Sequence, residues 1–436
     1  MALQTDSPRG RPGIQFVRFN QDGSCVALGT RTGIKVYSRH SHSLCYENPL
    51  GAVSIVEMLF CSSIVAFVGT GEQPALSPRR MSVLNTSSGR TIQDIHFTTS
   101  VLAVHMNRQR LVVLLESKAF VYSVSNLTLL RAIDLPPGGG VRAARAAALT
   151  TCDSPSLLAL PAAGDSGVLR VYDLLFDGGS VLCEAAAHSG PLEALAWSHD
   201  GSLLASASTK GTVIRVHRMP TAARLFQLRR GTRQAQVHAL AFSPAGVEPP
   251  LLAVCSSHGS VHVYRLHRDE RGAGMSGVGS GVGGMAAGVG AAAAAAGSML
   301  SALVSTNMAH MVEPQRPLLS VKLPCHPTPA SCTLLVPPPE EPLPDGPAAA
   351  SGPPADGGAA AANPPAAPPT LPRIAIPQSP SSLLLAVTTL DGLLYEYRLL
   401  GLPAPGAPPP SQQPAHQQPK AQLEGEWALL GSQALT

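Results

Sequence analysis

Asp200-Gly201-Ser202-Leu203-Leu204-Ala205-Ser206-Ala207-Ser208, with Gly-Thr-Val-Ile-Arg-Val-His at 211–217, decides the fold. An Asp-Gly turn opens an apolar run of strand length, and a second turn opens another, so the segment reads as a hairpin of short strands. The same template stands at Asp22-Gly23-Ser24-Cys25-Val26-Ala27-Leu28-Gly29-Thr30 followed by Gly33-Ile34-Lys35-Val36-Tyr37. Looser copies occupy 157–172, 251–264 and 383–397. Aligning the end of the third strand of each unit gives Tyr37, Leu84, Tyr122, Tyr172, His217, Tyr264 and Tyr397, seven units in all.

Apart from the last interval these markers fall roughly 40 to 50 residues apart, near the ~40–45 of a four-stranded propeller blade. The expected fold is all-β, a seven-bladed β-propeller with long disordered loop insertions, in which each blade buries its faces on its neighbours. It is expected to be one domain over 12–435. Two β-sandwiches would also show short strands with Asp-Gly turns. Seven returns of one template favour the ring.

Two stretches break the period and read as loops. Residues 267–314 begin with charged residues and pass into a Gly/Ala tract; residues 337–377 are Pro/Ala/Gly-rich and lack the apolar surface needed for order. Residues 1–11 and 403–420 read the same way. The uncharged run 281–300 has the length of a membrane span, but its Gly and Ala content makes insertion weak, so a flexible loop is expected. Within the first insertion Met299, Leu300, Leu303, Val304, Met308, Met311 and Val312 fall near one helical face, an amphipathic helix candidate.

Composition narrows the function. Of 436 residues 44% are apolar and only 13% charged, about half the usual ~25%. The formal charge of +4 comes with no Lys/Arg block, so nucleic acid is not an expected partner. The 8 cysteines show no metal-ligand spacing and no signal peptide opens the sequence; they read as reduced, mostly core thiols of a cytosolic protein. On that reading the sequons at Asn85 and Asn126 are chance matches. Ser198-His199-Asp200 belongs to the turn before Gly201 rather than to a triad, and Gly279-x-Gly281-x-x-Gly284 follows no strand. Neither an enzyme nor a metal or cofactor is expected.

The chemistry gathers instead around Leu228-Arg229-Arg230-Gly231. In an extended segment successive side chains leave on opposite faces, so the two guanidinium groups can serve different pockets. On one side stand His188, Ser206, Ser208, Thr209, Lys210, Thr212 and Arg215; on the other Ser256, Ser257, Ser260 and His262. Hydroxyls, imidazoles and a planar fork of N–H donors suit a phosphomonoester. Any one of these serines and threonines, taken singly, is ordinary in a propeller strand.

This pattern resembles the PROPPIN or WIPI family, the β-propellers of autophagy that bind polyphosphoinositides. The likeness runs from about residue 14 to 435, interrupted by the two inserts. It rests on Leu228 to Gly231, on Lys210-Gly211-Thr212-Val213-Ile214-Arg215-Val216, and on Ser260-Val261-His262-Val263-Tyr264. The resemblance implies two head-group pockets for phosphatidylinositol 3-phosphate or 3,5-bisphosphate. Arg229 with His188, Ser206, Ser208, Thr212 and Arg215 would form the fifth-blade pocket. Arg230 with Ser256, Ser257, Ser260 and His262 would form the sixth-blade pocket. It further implies that the insertion 267–314 touches the bilayer, through the helix candidate at Met299 to Val312. Here Ser260 stands where the family usually has a threonine. The implied protein is a monomer in solution that sits peripherally on phagophore, endosomal or vacuolar membranes. It would recruit autophagy proteins there, including a lipid-transfer partner. The alternative is a scaffold propeller that binds only proteins and whose arginine pair meets an acidic peptide.

Overall fold

In the computed structural model the Asp-Gly turns close hairpins as expected, with Gly201 at φ 72°, a backbone conformation that L side chains rarely adopt. The structure describes residues 13–136, 140–175, 180–267, 314–324, 330–337, 382–402, 414 and 418–430. Among them lie seven four-stranded antiparallel sheets, each paired in chain order. Blade 1 comprises β1 (Ile14–Phe19), β2 (Cys25–Thr30), β3 (Ile34–Ser38) and β4 (Leu44–Asn48); blade 2, β5 (Val53–Met58), β6 (Ile64–Gly69), β7 (Arg80–Asn85) and β8 (Arg90–His96). Blade 3 holds β9 (Ala103–Met106), β10 (Arg110–Leu114), β11 (Lys118–Ser123) and β12 (Leu129–Asp134). A short helix, α1 (Gly140–Arg145), leads into blade 4, with β13 (Ala148–Leu149), β14 (Leu157–Pro161), β15 (Gly167–Asp173) and β16 (Ser180–His188). Blade 5 holds β17 (Leu192–Trp197), β18 (Leu203–Ser208), β19 (Val213–Arg218) and β20 (Ala223–Arg229). Blade 6 holds β21 (Val237–Phe242), β22 (Leu251–Ser256), β23 (Ser260–Arg265) and β24 (Leu319–Lys322). Blade 7 holds β25 (Ala330–Leu335), β26 (Leu383–Thr389), β27 (Leu393–Leu400) and β28 (Lys420–Ala428).

The first strands of successive blades touch around the ring, and β25 meets β1 to complete it. All seven marker residues lie on third strands. In six blades a register shift between the third strand and the outer one falls at the marker, for instance between Val36 and Tyr37 and between Val216 and His217. Such a bulge bends the outer strand and adds twist. Blade 6 departs: β24 pairs with Ser260 through Val263 without a shift.

Apolar clusters fill the seams between blades. At the seam of blades 7 and 1, Phe19, Val26, Leu28 and Tyr37 pack on Leu335, Leu384, Leu394 and Leu429. No strand is shared across this seam among the described residues, so side chains alone hold it. There Arg39 donates to Glu396 at 3.1 Å, and the His42 ring stacks on Trp427 with centroids 3.7 Å apart.

One sequence reading needs correction. The cysteines are not mostly core: of the seven described, only Cys255 and Cys332 are buried, while Cys45 and Cys61 are exposed. Cys45 lies on the outer strand β4 and Cys61 in the turn between β5 and β6, where the chain leaves both side chains open to solvent. Leu228 and Arg229 of the arginine motif end the outer strand β20, in extended chain. The helix candidate at Met299 to Val312 lies outside the described residues, as do most of both insertions. Ser198 to Asp200 form a turn: the Ser198 hydroxyl donates to the Asp200 carboxylate at 2.6 Å and accepts from Leu203 N–H at 2.9 Å.

Candidate phosphate-binding site

On blade 5 the register sets one face. Ser206 of β18 pairs with Arg215 of β19, which pairs with Gln227 of β20, while Val213 pairs with Arg229. Because strand side chains alternate, Ser206, Ser208, Arg215, Gln227 and Arg229 share that face. His188, the last residue of β16, reaches it from blade 4: its Nε2 lies 3.1 Å from both the carbonyl and the hydroxyl of Ser206. The Ser206 hydroxyl donates to the Arg215 carbonyl at 3.2 Å, and Arg215 Nη1 donates to the Ala187 carbonyl at 2.5 Å. Burial, aided by the charge of Arg215, holds His188 at about 4, so it is a neutral imidazole at pH 7. Arg229 is exposed at the strand end. Thr212 meets the motif through its backbone, its carbonyl accepting from Arg230 N–H at 2.9 Å and Gly231 N–H at 3.3 Å.

Arg230 turns the other way, towards blade 6, and is only 6% exposed. Its Nε donates to the Gly211 carbonyl, its Nη2 to the Arg233 carbonyl, and its Nη1 lies 3.3 Å from His258 Nδ1. Gly211 has φ +59°, and a Cβ there would meet the Ala235 carbonyl oxygen at 1.9 Å, so this acceptor position requires glycine. Gly231, by contrast, has open space where a Cβ would stand. On β22 and β23, Ser256 pairs with Ser260, and the Ser260 hydroxyl lies 3.3 Å from His262 Nε2. His262 Nδ1 is 2.7 Å from the Ser320 hydroxyl. Burial, then the charge of Arg230, lowers the His262 pKa. The Ser256 hydroxyl is buried without a hydrogen-bond partner, whereas Ser257 accepts from Gln236 N–H at 3.2 Å, a backbone tie.

The structure therefore joins His188, Ser206 and Arg215 on one side, and Ser260 and His262 on the other, with Arg230 acting on His262 through its charge. Ser208 lies on the face of Ser206 by register, and Ser256 on that of Ser260. Sequence reasoning missed His258, which contacts Arg230 from the β22–β23 turn, and Gln315, whose backbone clasps β20. Gln315 N–H donates to the Gln227 carbonyl and its carbonyl accepts from Arg229 N–H, both at 2.8 Å. The Ser-His-Gly turn before Ser260 was a usable signal for His258; nothing local announces Gln315. Tyr264 adds a tie from blade 6, its hydroxyl donating to the Arg229 carbonyl at 3.0 Å.

Charge distinguishes this place. Elsewhere arginines meet carboxylates, as in Arg18–Glu57, Arg145–Glu193 and Arg39–Glu396. Among the described residues no carboxylate lies within ion-pair distance of Arg215, Arg229 or Arg230, and burial lowers the pKa of both Arg215 and Arg230. A guanidinium held by carbonyls keeps its charge and can still be approached by an anion.

The PROPPIN family model matches residues 14–333, which includes every residue of both faces. The chain belongs to the PROPPIN family. This PROPPIN is 40% identical over 268 residues to autophagy-related protein 18 of Yarrowia lipolytica, a match covering 58% of this chain and 66% of the relative. It is 39% identical over 254 residues to autophagy-related protein 18b of Arabidopsis thaliana, covering 58% of this chain and 68% of that one. The chain thus spans about two thirds of the length of these curated relatives. In fold it is similar to Kluyveromyces lactis Hsv2, with a TM-score of 0.62 at 16% identity over 96% of this chain and 100% of that one. A complex of KlAtg21 with the coiled coil of AgAtg16 gives 0.59 at 20% identity, over 95% and 99%.

Proposed function

We propose that this PROPPIN reads phosphoinositide head groups through the two faces that flank Arg229-Arg230, and brings autophagy proteins to the membrane that carries them. The observation that carries the reading is the cluster of three arginines that, among the described residues, meets no carboxylate and is set among neutral imidazoles and serine hydroxyls. A 3-phosphate, or a 3,5-bisphosphate, brings the anion that this arrangement lacks. Neutral His188 and His262 can donate one ring N–H each and add no charge that must be removed when the site is empty. Two modest sites on one membrane reinforce each other, because occupancy of the first raises the effective concentration at the second.

The exposed Arg229 suits first contact and the buried Arg230 a fixed wall. Attachment is peripheral on this reading; among the described residues no helix is long and apolar enough to cross a membrane. The relatives' autophagy role supports a place on phagophore, endosomal or vacuolar membranes. The Atg21–Atg16 complex supports a partner of coiled-coil type, beside the lipid-transfer protein that the family resemblance implies. The insertion 267–314 would add a shallow membrane contact, since an amphipathic helix alone binds weakly.

The test is flotation of the full chain with liposomes containing or lacking phosphatidylinositol 3-phosphate or the 3,5-bisphosphate. Arg229→Thr, whose side chain is exposed, is expected to lower co-flotation at least tenfold while thermal unfolding stays unchanged. Binding that is unaffected by Arg229→Thr, or by the lipid phosphate, overturns the assignment and favours a protein-only scaffold.

A further inference from the structure

Cys25, Cys45 and Cys61, far apart in sequence, line one cavity of about 310 Å³ at the seam of blades 1 and 2. Cys25 opens β2 of blade 1 and Cys61 stands in the β5–β6 turn of blade 2, so this pair faces across the seam. Both sulfurs lie on one hydroxyl: Ser24 Oγ is 2.9 Å from Cys61 Sγ and 4.0 Å from Cys25 Sγ. Asn20 Nδ2 donates to Cys61 Sγ at 3.6 Å, and the Asp22 carboxylate lies 3.7 Å from it. Burial, and then the neighbouring Cys61 thiol, pushes Cys25 up to about 11. Cys25 is therefore a thiol at neutral pH, while Cys61 is exposed to solvent. None of these residues belongs to the anion-binding faces of blades 5 and 6.

We propose that Cys25 and Cys61 form a hydroperoxide-responsive dithiol, a modification site whose oxidation staples blade 1 to blade 2. The accessible Cys61 sulfur attacks the peroxide: an S–O bond forms as the O–O bond breaks, giving a sulfenic acid and water, which carries off the thiol proton. The Cys25 sulfur then attacks the Cys61 sulfur; the S–S bond forms as the S–O bond breaks, and a second water leaves with the Cys25 proton. Two thiols lose two electrons and two protons, which the peroxide takes up. Cys61 reacts first because it is exposed, and Cys25 resolves because it is near and shielded. Cys45, on the rim of the same cavity, is the competing partner.

The experiment treats the reduced full chain with hydrogen peroxide and counts thiols in denaturant. The titre is expected to fall from eight to six per chain. Peptide mapping is expected to show a Cys25–Cys61 link that dithiothreitol reverses. The oxidised protein should melt at a higher temperature than the reduced one. Cys45→Ser should leave this pattern intact, and Cys25→Ser should stop at a Cys61 sulfenic acid that dimedone traps. Thermal melts of the reduced variants check that they fold. A titre that stays at eight, or a link from Cys61 to Cys45 or to another chain, overturns the proposal.

Discussion

Arg39 and Arg230 are both buried, at 9% and 6% exposure, and they are held in opposite ways. Arg39 lies at the seam of blades 7 and 1, where Glu396 cancels its charge and His42 and Trp427 stack beside the pair. Arg230 lies between blades 5 and 6, where carbonyls orient it and, among the described residues, no carboxylate neutralises it. Equal burial thus accompanies two different electrostatic outcomes. A neutralised guanidinium closes a seam; a merely oriented one leaves a positive potential for an anion. The difference separates a structural arginine from a binding one more sharply than exposure does.

The comparison can be broken at several points. Glu396→Ala leaves Arg39 buried without its counter-charge and is expected to cost ~3–5 kcal/mol in denaturant unfolding, while lipid co-flotation of the folded fraction is retained. A loss below ~1 kcal/mol would show that Arg39 does not depend on its partner. Acid acts on the other side. His188 sits at about 4 in the fold against an ordinary value near 6.5, so its contribution is fully present above pH 6.5 and declines as pH falls towards 4. That loss is on the order of 3 kcal/mol for this imidazole, read as lower unfolding midpoints at pH 5 than at pH 7. His188→Gln should lessen the dependence without abolishing it, because burial also lowers His105 to about 3 and His217 to about 4, and equal midpoints in the wild-type chain would refute it.

Smaller effects sharpen the contrast. Arg230→Met removes the charge together with its hydrogen bonds, so it should cost only about 1–3 kcal/mol, less than Glu396→Ala, yet abolish co-flotation. The reverse order of stabilities would make Arg230 the structural member. Tyr264→Phe deletes one hydrogen bond to the Arg229 carbonyl and is expected to cost about 1 kcal/mol, with a modest loss of affinity if that bond fixes the strand end.

The ring itself was legible because third strands are buried and end alike: Tyr37, Tyr122, Tyr172, Tyr264 and Tyr397 recur behind apolar runs. Outer strands were harder, since their burial stays low. β8, Arg-Thr-Ile-Gln-Asp-Ile-His, is exposed along most of its length and carries no alternation. The arginine motif was read as extended chain, but the strand β20 that carries it, with Leu225, Phe226 and Leu228 buried, was not delimited. The two sets of polar residues could be named from proximity in sequence, but their grouping depends on register. Ser206 meets Arg215 through strand pairing, His188 arrives from another blade, and Gln315 returns to β20 only after an insertion. Burial of the thiols was misjudged because hydrophobic character predicts packing only where a partner blade covers the side chain.

Each sheet takes its four strands from one continuous stretch of chain, and among the described residues only side chains join blade 7 to blade 1. During synthesis blade 1 can therefore pair its own strands early, but its seam face must wait for residues beyond 330 to emerge. At ~5–20 residues per second that wait lasts on the order of tens of seconds. Throughout it Phe19, Val26 and Leu28 have no permanent cover. The blade made first is the last to be fully buried, which makes the nascent ring most dependent on chaperone protection at its earliest strands.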